Sequence, residues 1–254
     1  MTAPTPPAKT AAMLVIGNEI LTGRTKDANL PFVAERCMGL GIRLLEARVV
    51  PDVEAEIVGA VNALRARYDY VFTSGGIGPT HDDITAECIA KAFGVALERN
   101  PEAVRRLEAH YGDPALLNEA RLRMANIPAG GVLIDNPISQ APGFQIGNVF
   151  VMAGVPKIMQ AMFGGIVDRL VGGPPIRTVS VTGAFAEGMV ATALGEIAAG
   201  HPDLDIGSYP FLRAGKIGTS LVLRGTDPAR LDAATAAVVA LVRGQGVEPE
   251  VERD

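Results

Sequence analysis

Short apolar runs alternate with longer segments of helical spacing over the first two thirds of the chain. The run from Met13 to Ile16 is continuously apolar and ends at Gly17, which is typical of a parallel strand covered on both faces. The pattern then predicts, in order, a helix over Leu30–Leu40 closed by Gly41, a strand over Ile42–Val50, a helix capped by Asp52 and a strand over Tyr70–Thr73. Such alternation indicates right-handed βαβ units, so we predict an α/β fold with a mostly parallel sheet between helices.

The next part of the pattern predicts further helices and one hairpin. Four helices are predicted here. The first runs from near Asp82 to near Gly94, and the second begins at Asn100-Pro101, with an N-cap before the proline. The third covers Pro114–Ala125, and the fourth follows Pro156 as far as Leu170. Two apolar runs flank Gly147-Asn148, a dipeptide suited to a two-residue hairpin turn. We therefore expect one edge of the sheet to be antiparallel.

Two domains and a tail are expected from the distribution of proline and glycine. Residues 1–10 carry three prolines and predict a disordered tail. The segment VGGPP at residues 171–175 cannot continue a helix and predicts a linker, so the domains would cover residues 11–171 and 175–254. The second domain has the pattern of a small α+β fold in βαββα order.

Composition limits the possible functions. The chain has 254 residues, 48% hydrophobic content and a formal net charge of -5, which disfavours a general nucleic-acid surface. Cys37 and Cys88 both fall in helical patterns and are expected to be buried and reduced. The apolar run Ala11–Ile16 is too short for a signal-peptide core or a membrane span, so we expect a cytoplasmic protein without membrane partners.

The most informative stretch is TSGGIGPTHDDIT at residues 73–85, which follows the predicted strand Tyr70–Thr73. Its three glycines allow a ligand to approach the main chain closely and allow positive φ. The helix expected near Asp82 would turn unpaired N–H groups toward the same place. These features predict a phosphate-binding turn.

Asp82 and Asp83 would repel a bare phosphate, and they therefore suggest a divalent cation that takes carboxylate and phosphate oxygens together. Glu19, just past the first predicted strand, is a candidate third carboxylate, although a lone Glu is more often a solvated loop charge. An alternative interpretation needs no ligand, because Thr80 and Asp83 also fit a helix-capping pattern. The residues alone leave both interpretations open.

Several familiar sites are excluded by spacing. The sequence contains neither the phosphate-loop pattern of ordinary NTPases nor the glycine fingerprint of dinucleotide-binding dehydrogenases. His81, His110 and His201 stand alone, so a zinc site is not expected.

The glycine segment resembles the GGxGPTxDDxT signature of the molybdopterin-binding MoaB/Mog domain as it is found in CinA-like proteins. Further similarities, in the expected order, are the segment GNEILTG at residues 17–23 with Asp27 and Asn29, Asn136 with APGF at residues 141–144, and GVP at residues 154–156 with Met159. IGSYP at residues 206–210 is similar to the small second domain of that group. The resemblance covers nearly the whole chain.

The resemblance implies a three-layer α/β/α sandwich followed by a KH-like α+β domain. It implies two functions that stay open: a nucleotide pyrophosphatase that cleaves ADP-ribose- or FAD-like compounds with Mg²⁺ or Co²⁺, or a non-catalytic protein that binds molybdopterin or another pterin phosphate. A homo-oligomer, with a dimer favoured, is expected by analogy. The amidase domain that completes full-length CinA would lie beyond this chain, so no deamidase activity is expected.

Site residues follow from the motif and from the chemistry that hydrolysis needs. We assign Asp83, Asp82 and Glu19 to metal binding and catalysis, with Asp83 first among them. Phosphate is assigned to Ser74, Gly75, Gly76, Gly78, Thr80 and Thr85, and the nucleotide or pterin end to Asn29, Pro142, Gly143 and Gly154. His81 occupies a variable position of the motif and receives no role.

RNA binding by the second domain is disfavoured. Residues 175–254 hold 7 Lys and Arg against 10 Asp and Glu, a difference of -3. The sequence GKIG at residues 215–218 lies between two predicted strands, whereas the RNA-clamping loop of KH domains joins two helices. A hairpin turn is the expected role of this segment.

Overall fold

The computed structural model describes residues 8–213 and 215–254. The chain forms two compact units, whose main boundary lies between Gly173 and Pro174; the short segment Met38–Gly41 groups with the second unit. This division falls inside the VGGPP segment. Each unit is described below by itself.

The first unit contains eight strands and seven helices among the described residues. The strands are β1 (Lys9–Ile16), β2 (Ile42–Val50), β3 (Tyr70–Ser74), β4 (Leu97–Arg99), β5 (Asn126–Pro128), β6 (Val132–Ile134), β7 (Gly143–Ile146) and β8 (Val149–Met152). The helices are α1 (Asn18–Leu21), α2 (Asn29–Gly39), α3 (Glu54–Arg67), α4 (Thr85–Phe93), α5 (Pro101–Tyr111), α6 (Glu119–Leu122) and α7 (Pro156–Gly164).

A six-stranded sheet organises this unit, in the order β2-β1-β3-β8-β7-β6. The four strands from β2 to β8 are parallel, while β7 and β6 pair in antiparallel fashion at the other side. Gly147, with φ of 53°, lies in the tight turn between β7 and β8. The predicted parallel sheet with an antiparallel edge is therefore confirmed.

Helices cover both faces of the sheet. On one face, Leu14 of β1 and Val71 of β3 join a buried cluster with Ile57 of α3 and Ile89 of α4. On the other face, the ring of Phe72 packs against Phe163 of α7 at a centroid distance of 5.3 Å, and Phe163 in turn contacts Phe32 of α2 at 5.7 Å. The result is a three-layer α/β/α sandwich, as predicted, and the chain leaves its parallel strands at one common edge.

Several element boundaries differ from the predictions. Asp52 does not cap α3, because its carboxylate accepts a hydrogen bond from the main-chain N–H of Asn18 at 2.9 Å. The helix expected near Asp82 begins only at Thr85, since the preceding residues form turns that Thr80 and Asp83 hold together. Both aspartates consequently precede the helix.

The helical excursion is more broken than expected. The segment predicted as one helix over Pro114–Ala125 consists of a 3-10 turn, the short helix α6 and a second 3-10 turn. Asn118 interrupts it by accepting a hydrogen bond from the N–H of Arg121, which starts α6 anew. The helix after Pro156 ends at Gly164 rather than near Leu170.

The prediction of a disordered tail is wrong for Lys9 and Thr10. Residues 1–7 lie outside the described part of the chain, whereas Lys9 and Thr10 already belong to β1. Asp69 holds this strand start, because its carboxylate accepts hydrogen bonds from Lys9 Nζ at 2.7 Å and from Thr10 N at 2.9 Å.

The second unit is an antiparallel α+β fold. Its elements are β9 (Arg177–Gly183), α8 (Ala191–Gly200), β10 (Asp205–Arg213), β11 (Lys216–Gly225), α9 (Pro228–Gly244) and β12 (Glu250–Arg253). The sheet order is β10-β11-β9-β12. A buried cluster that includes Val181, Leu221 and Val238 joins sheet and helices.

The α+β prediction for the second unit is confirmed, with one strand added. Strand β12 was not predicted because all four of its residues are exposed and none supplies a buried apolar position. Residues 216–218 lie in β11, so the GKIG segment belongs to the β10-β11 hairpin, as expected. Among the described helices, none is both long enough and apolar enough to cross a membrane.

Candidate functional site

Two concavities flank the glycine turn at the carboxyl ends of the parallel strands. The Asp83 concavity is lined by Gly76, Ile77, Gly78, Asp83, Ala86, Glu87, Arg123, Met124, Asn126, Ile127, Pro142 and Phe144. The Glu19 concavity is lined by Val15, Ile16, Glu19, Ile20, Thr25, Lys26, Asp27, Ala28, Asn29, Ser74, Gly154 and Pro156. Ligands of open α/β sheets bind at this edge.

The turn between β3 and α4 requires glycine at its first two positions. Gly75 has φ of 109°, and a Cβ placed there would lie 2.1 Å from the carbonyl oxygen of Ile16. Gly76 has φ of 67°, and its Cβ would lie 2.2 Å from Thr85 Oγ1. The main chain of the turn thus approaches its neighbours too closely for a side chain at Gly75 or Gly76.

Three hydrogen bonds fix the shape of this turn. The N–H of Gly75 donates to the carbonyl of Met152 at 3.1 Å, and Thr85 donates twice, from Oγ1 to the carbonyl of Gly75 and from N to that of Gly76, each at 3.0 Å. Thr85 and Gly75 are buried, so these groups shape the turn. Both were predicted as phosphate ligands, which stays a prediction; in the structure both make supporting contacts.

Among the residues that the structure describes, the next three main-chain N–H groups have no protein acceptor. Within the described residues, no hydrogen bond from the N–H of Gly76, Ile77 or Gly78 occurs, and all three residues are partly exposed. Successive unpaired donors of this kind form concavities that attract anions. The sequence-based expectation of an anion-binding turn therefore has a structural counterpart at residues 76–78.

Asp83 lies directly against this turn. Its Oδ2 would be 2.6 Å from a Cβ at Gly78, and the same oxygen accepts a hydrogen bond from the N–H of Thr80 at 2.8 Å. The Thr80 contact is the one that the capping interpretation predicted, although it closes a turn before the helix. Asp83 also lines a concavity, so its local hydrogen bonds do not remove it from a ligand's reach.

Asp82 is placed differently from its neighbour. Its side chain is more exposed, and its Oδ1 accepts a hydrogen bond from Thr80 Oγ1 at 2.6 Å. That hydrogen bond holds the pKa of Asp82 below its usual value. Asp82 is not among the residues that line the Asp83 concavity, and the side chain of His81 is almost fully exposed. Only one of the paired aspartates therefore faces a concavity.

Arg123 is a site residue that the sequence did not reveal. Its guanidinium donates to the carbonyl of Thr80 at 2.9 Å, to the carbonyl of Asp83 at 3.2 Å and to Glu87 Oε1 at 3.3 Å. It thus ties the aspartate turn to α4 and brings a positive charge to the Asp83 concavity. No local motif marks Arg123, because its partners lie 36 to 43 residues away in sequence.

Three of the residues that line the Glu19 concavity, Asn29, Ser74 and Gly154, are joined by hydrogen bonds. Buried Asn29 donates from Nδ2 to Ser74 Oγ at 2.6 Å and to the carbonyl of Gly154 at 2.8 Å. Asp27 accepts hydrogen bonds from the N–H groups of Asn29 and Leu30, so it caps the start of α2. The structure therefore brings Asn29, Ser74 and Gly154 together.

The predicted trio of metal-binding carboxylates does not assemble. Glu19 lines one concavity and Asp83 the other, with the glycine turn between them. Among residues 8–213 and 215–254, no three His, Cys, Asp or Glu side chains come close enough to share a metal ion. The prediction was wrong because two strands can end at the same edge of a sheet while the residues that follow them lie on opposite sides of the glycine turn.

The later loop residues divide in the same way. Pro142 lines the Asp83 concavity. Gly143 instead permits close strand packing, because a Cβ there would lie 2.2 Å from the carbonyl oxygen of Val151. The side chain of Asn136 forms hydrogen bonds within its own loop: Nδ2 donates to Ser139 Oγ at 2.6 Å and to the carbonyl of Ala141 at 2.8 Å.

Fold and turn together define a MoaB/Mog-type α/β domain followed by an antiparallel α+β domain. The chain belongs to the family described as the probable molybdopterin binding domain, whose model matches residues 12–172. Residues 175–251 match a second model, described as the middle domain of FAD synthase. The chain thus combines a molybdopterin-binding-type domain with a segment of FAD synthase type.

Individual relatives agree with this assignment. A protein of Pyrobaculum calidifontis is 36% identical over 212 residues, which cover 79% of this chain and 80% of that protein. A probable FAD synthase of Caenorhabditis elegans is 31% identical over 264 residues, covering 94% of this chain and 51% of the relative. The chain therefore spans about half the length of that relative.

A solved structure supports the CinA-like character of the chain. The crystal structure of the protein CinA with unknown function from Thermoplasma acidophilum is 36% identical, with a TM-score of 0.61. The match covers 64% of this chain and 98% of that one. The predicted resemblance to CinA-like MoaB/Mog proteins is confirmed.

Proposed function

We propose that this protein is a divalent-metal-dependent nucleotide pyrophosphatase that acts on FAD- or ADP-ribose-like compounds at the Asp83 concavity. One observation carries the proposal. A carboxylate, Asp83, lies against a turn whose three successive N–H groups, at Gly76, Ile77 and Gly78, have no acceptor within the described residues. Donors for a diphosphate and a carboxylate for its attacking water thus stand side by side.

The free N–H groups would bind the non-bridging oxygens of the pyrophosphate and stabilise the charge that develops there. The hydrogen bonds of Gly75 and Thr85 fix the main chain at the start of this turn, which would reduce the rearrangement needed when the ligand binds. The guanidinium of Arg123 adds a positive charge at the same concavity. These groups explain how the site would orient a diphosphate.

Hydrolysis adds one water across a P–O bond. The water oxygen forms a new bond to one phosphorus, the bridging oxygen leaves with the other phosphate, and two monophosphates result. The carboxylate of Asp83 would orient the water and accept its proton. In the described part of the chain, the hydrogen bonds of this carboxylate involve Oδ2, which leaves Oδ1 for that role.

The residues of the concavity fit a cation that arrives with its substrate. Mg²⁺ is usually held by one or two carboxylates together with substrate phosphates and water, so a dedicated cage of protein ligands is not required. Glu87 lines the concavity, and because Arg123 donates to its Oε1, its Oε2 would provide such a carboxylate oxygen. A bound cation would neutralise charge on the pyrophosphate.

FAD is the first substrate to test. The relative from Caenorhabditis elegans is named a probable FAD synthase, and the second domain here matches that enzyme's middle domain. Both domains of this chain thus have counterparts in proteins that are named for FAD. Cleavage of FAD at its pyrophosphate would release AMP and FMN.

The decisive experiment measures AMP release from FAD and from ADP-ribose, with Mg²⁺, with Co²⁺ and with a chelator. We expect metal-dependent release that falls at least about 100-fold in Asp83→Asn. Asp168→Asn is the matched control, because Asp168 is exposed and lies outside both concavities. Equal activity in Asp83→Asn and the control would refute the assignment of Asp83.

The alternative is a protein that binds molybdopterin or another pterin phosphate without turnover. The family description favours it, since the matching model is named for molybdopterin binding. It predicts saturable binding of a pterin phosphate and no AMP release with any metal. The same assay, run beside a binding titration with a pterin monophosphate, distinguishes the two functions.

A further inference from the structure

We infer that the Glu19 concavity binds the ribose of the nucleotide, with the carboxylate of Glu19 accepting hydrogen bonds from its two neighbouring hydroxyl groups. This inference rests on the proposed function, because it assumes that a nucleotide diphosphate occupies the glycine turn. It gives Glu19 a role in sugar recognition instead of metal binding.

The carboxylate of Glu19 lies close to the main chain at Gly17 and has unused acceptors. It lies over Gly17, where an added Cβ would be 2.5 Å from Oε2 and 2.6 Å from Oε1. Within the described residues, no hydrogen bond or ion pair engages either oxygen. The two oxygens of one carboxylate lie close together, and so do the oxygens of two adjacent hydroxyl groups. One carboxylate can therefore accept a hydrogen bond from each hydroxyl group.

A second observation in the same concavity points to a ligand that donates hydrogen bonds. Asn29 is only 3% exposed, and its Oδ1 has no hydrogen-bond partner. The orientation of this amide is fixed, because a carbonyl such as that of Gly154 can only accept and must face Nδ2. A buried amide oxygen without a donor is unfavourable, so a hydroxyl group brought by a ligand would complete this residue.

Charge in this concavity disfavours a second phosphate. Asp27 uses both carboxylate oxygens on the N–H groups of Asn29 and Leu30, which gives it a structural role. Glu19 and Asp27 together outweigh the single cation among the lining residues, Lys26. A neutral group rich in donors fits these surroundings better than an anion does.

The position of the concavity suits a ribose attached to a bound phosphate. Gly154, which lines it, packs against the turn so closely that its added Cβ would be 3.3 Å from Gly75 Cα. Ser74, the residue before the turn, also lines it. The Glu19 concavity therefore begins at residues that directly adjoin the glycine turn, next to the place proposed for the phosphate.

The experiment compares the binding of ADP and of 2′-deoxy-ADP, each with Mg²⁺, by calorimetric titration. We expect the unmodified protein to bind ADP at least about 10-fold more tightly, because a hydrogen bond to a charged acceptor is lost in the deoxy compound. In Glu19→Ala this preference should fall below about 3-fold, while Glu19→Gln should retain part of it. Thermal unfolding of each variant checks that it is folded.

Glu35→Gln is the matched control, since Glu35 is exposed on α2 and lies outside the Glu19 concavity. It should keep the full preference for ADP. Two results would overturn the ribose assignment and leave the proposed function intact. One is equal binding of the two nucleotides by the unmodified protein, and the other is an undiminished preference for ADP in Glu19→Ala. Failure of ADP to bind at all would overturn both.

Discussion

The carboxylate of Asp83 occupies the space that a side chain at Gly78 would need: Oδ2 lies 2.6 Å from the position of a Cβ there. This contact joins the two halves of the site, the unpaired N–H groups of the turn and the acidic group beside them. The contact is possible only because residue 78 is glycine, which has no Cβ. A substitution at Gly78 or at Asp83 therefore tests it.

Gly78→Ala should reduce activity without unfolding the protein. Gly78 is not among the glycines with positive φ, so alanine is tolerated by the main chain, but its methyl group must displace the Asp83 carboxylate. We expect AMP release to fall at least about 10-fold, with a change in the free energy of unfolding below about 1 kcal/mol. Unchanged activity would show that the position of Asp83 is not critical.

Gly75→Ala should instead destabilise the first domain. The new Cβ would meet a main-chain atom, the carbonyl oxygen of Ile16, at 2.1 Å, and φ at Gly75 is 109°. We expect a loss of at least about 3 kcal/mol in the free energy of unfolding, measured with urea. Gly112→Ala separates the effect of positive φ from that of the steric clash, because Gly112 has φ of 68° and open space around it. This substitution should cost only about 1 kcal/mol.

Replacement of Arg123 by Gln should loosen the aspartate turn. The guanidinium donates to the carbonyls of Thr80 and Asp83, so its removal leaves both without these contacts. We expect faster hydrogen exchange at the amides of Thr80 and Asp83 and a loss of about 1 kcal/mol in stability. In the control Arg105→Gln, which removes the pair that Arg105 forms with Glu102 on α5, exchange at Thr80 should stay as it was.

Asp69 should make the start of β1 sensitive to acid. The hydrogen bond from Lys9, with further ones from Thr10, lowers the pKa of Asp69 from 3.8 to about 2. A carboxyl whose pKa is lower in the folded state stabilises the protein above its unfolded pKa, and this contribution is lost as the pH falls through the folded value. The relevant window runs from about pH 4 down to about pH 2.

Asp69→Asn should accordingly cost about 1 kcal/mol of unfolding free energy at pH 7, a value reduced for solvent screening because the side chain is 34% exposed. The difference from the unmodified protein should begin to shrink below pH 4. A difference that is constant from pH 7 to pH 3 would show that the ionised form of Asp69 contributes nothing.

The parts of the fold that the sequence predicted are those with a local signal. Asn100 caps α5 as expected, accepting hydrogen bonds from the N–H groups of Glu102 and Ala103 at 3.0 Å. Asp52 carries the same kind of signal but bonds to Asn18, which is 34 residues away in the chain. A long-range contact of this sort overrides local preference and cannot be seen in the sequence.

The site shows the same limit. The glycines of the turn and Asp83 were evident because their spacing is local. Arg123 was missed, and Glu19 was grouped with Asp83 although the two line different concavities. Which side of a turn a strand end faces depends on the packing of the whole sheet, so only the structure separates them.

The central claim is that the N–H groups of residues 76–78 bind a diphosphate, and backbone amide NMR tests it most directly. Titration with inorganic pyrophosphate and Mg²⁺ should produce saturable shifts in the amide signals of Gly76, Ile77 and Gly78, while the signal of Gly112 stays unchanged. Shifts that occur elsewhere, with the three turn amides unaffected at saturation, would contradict the account.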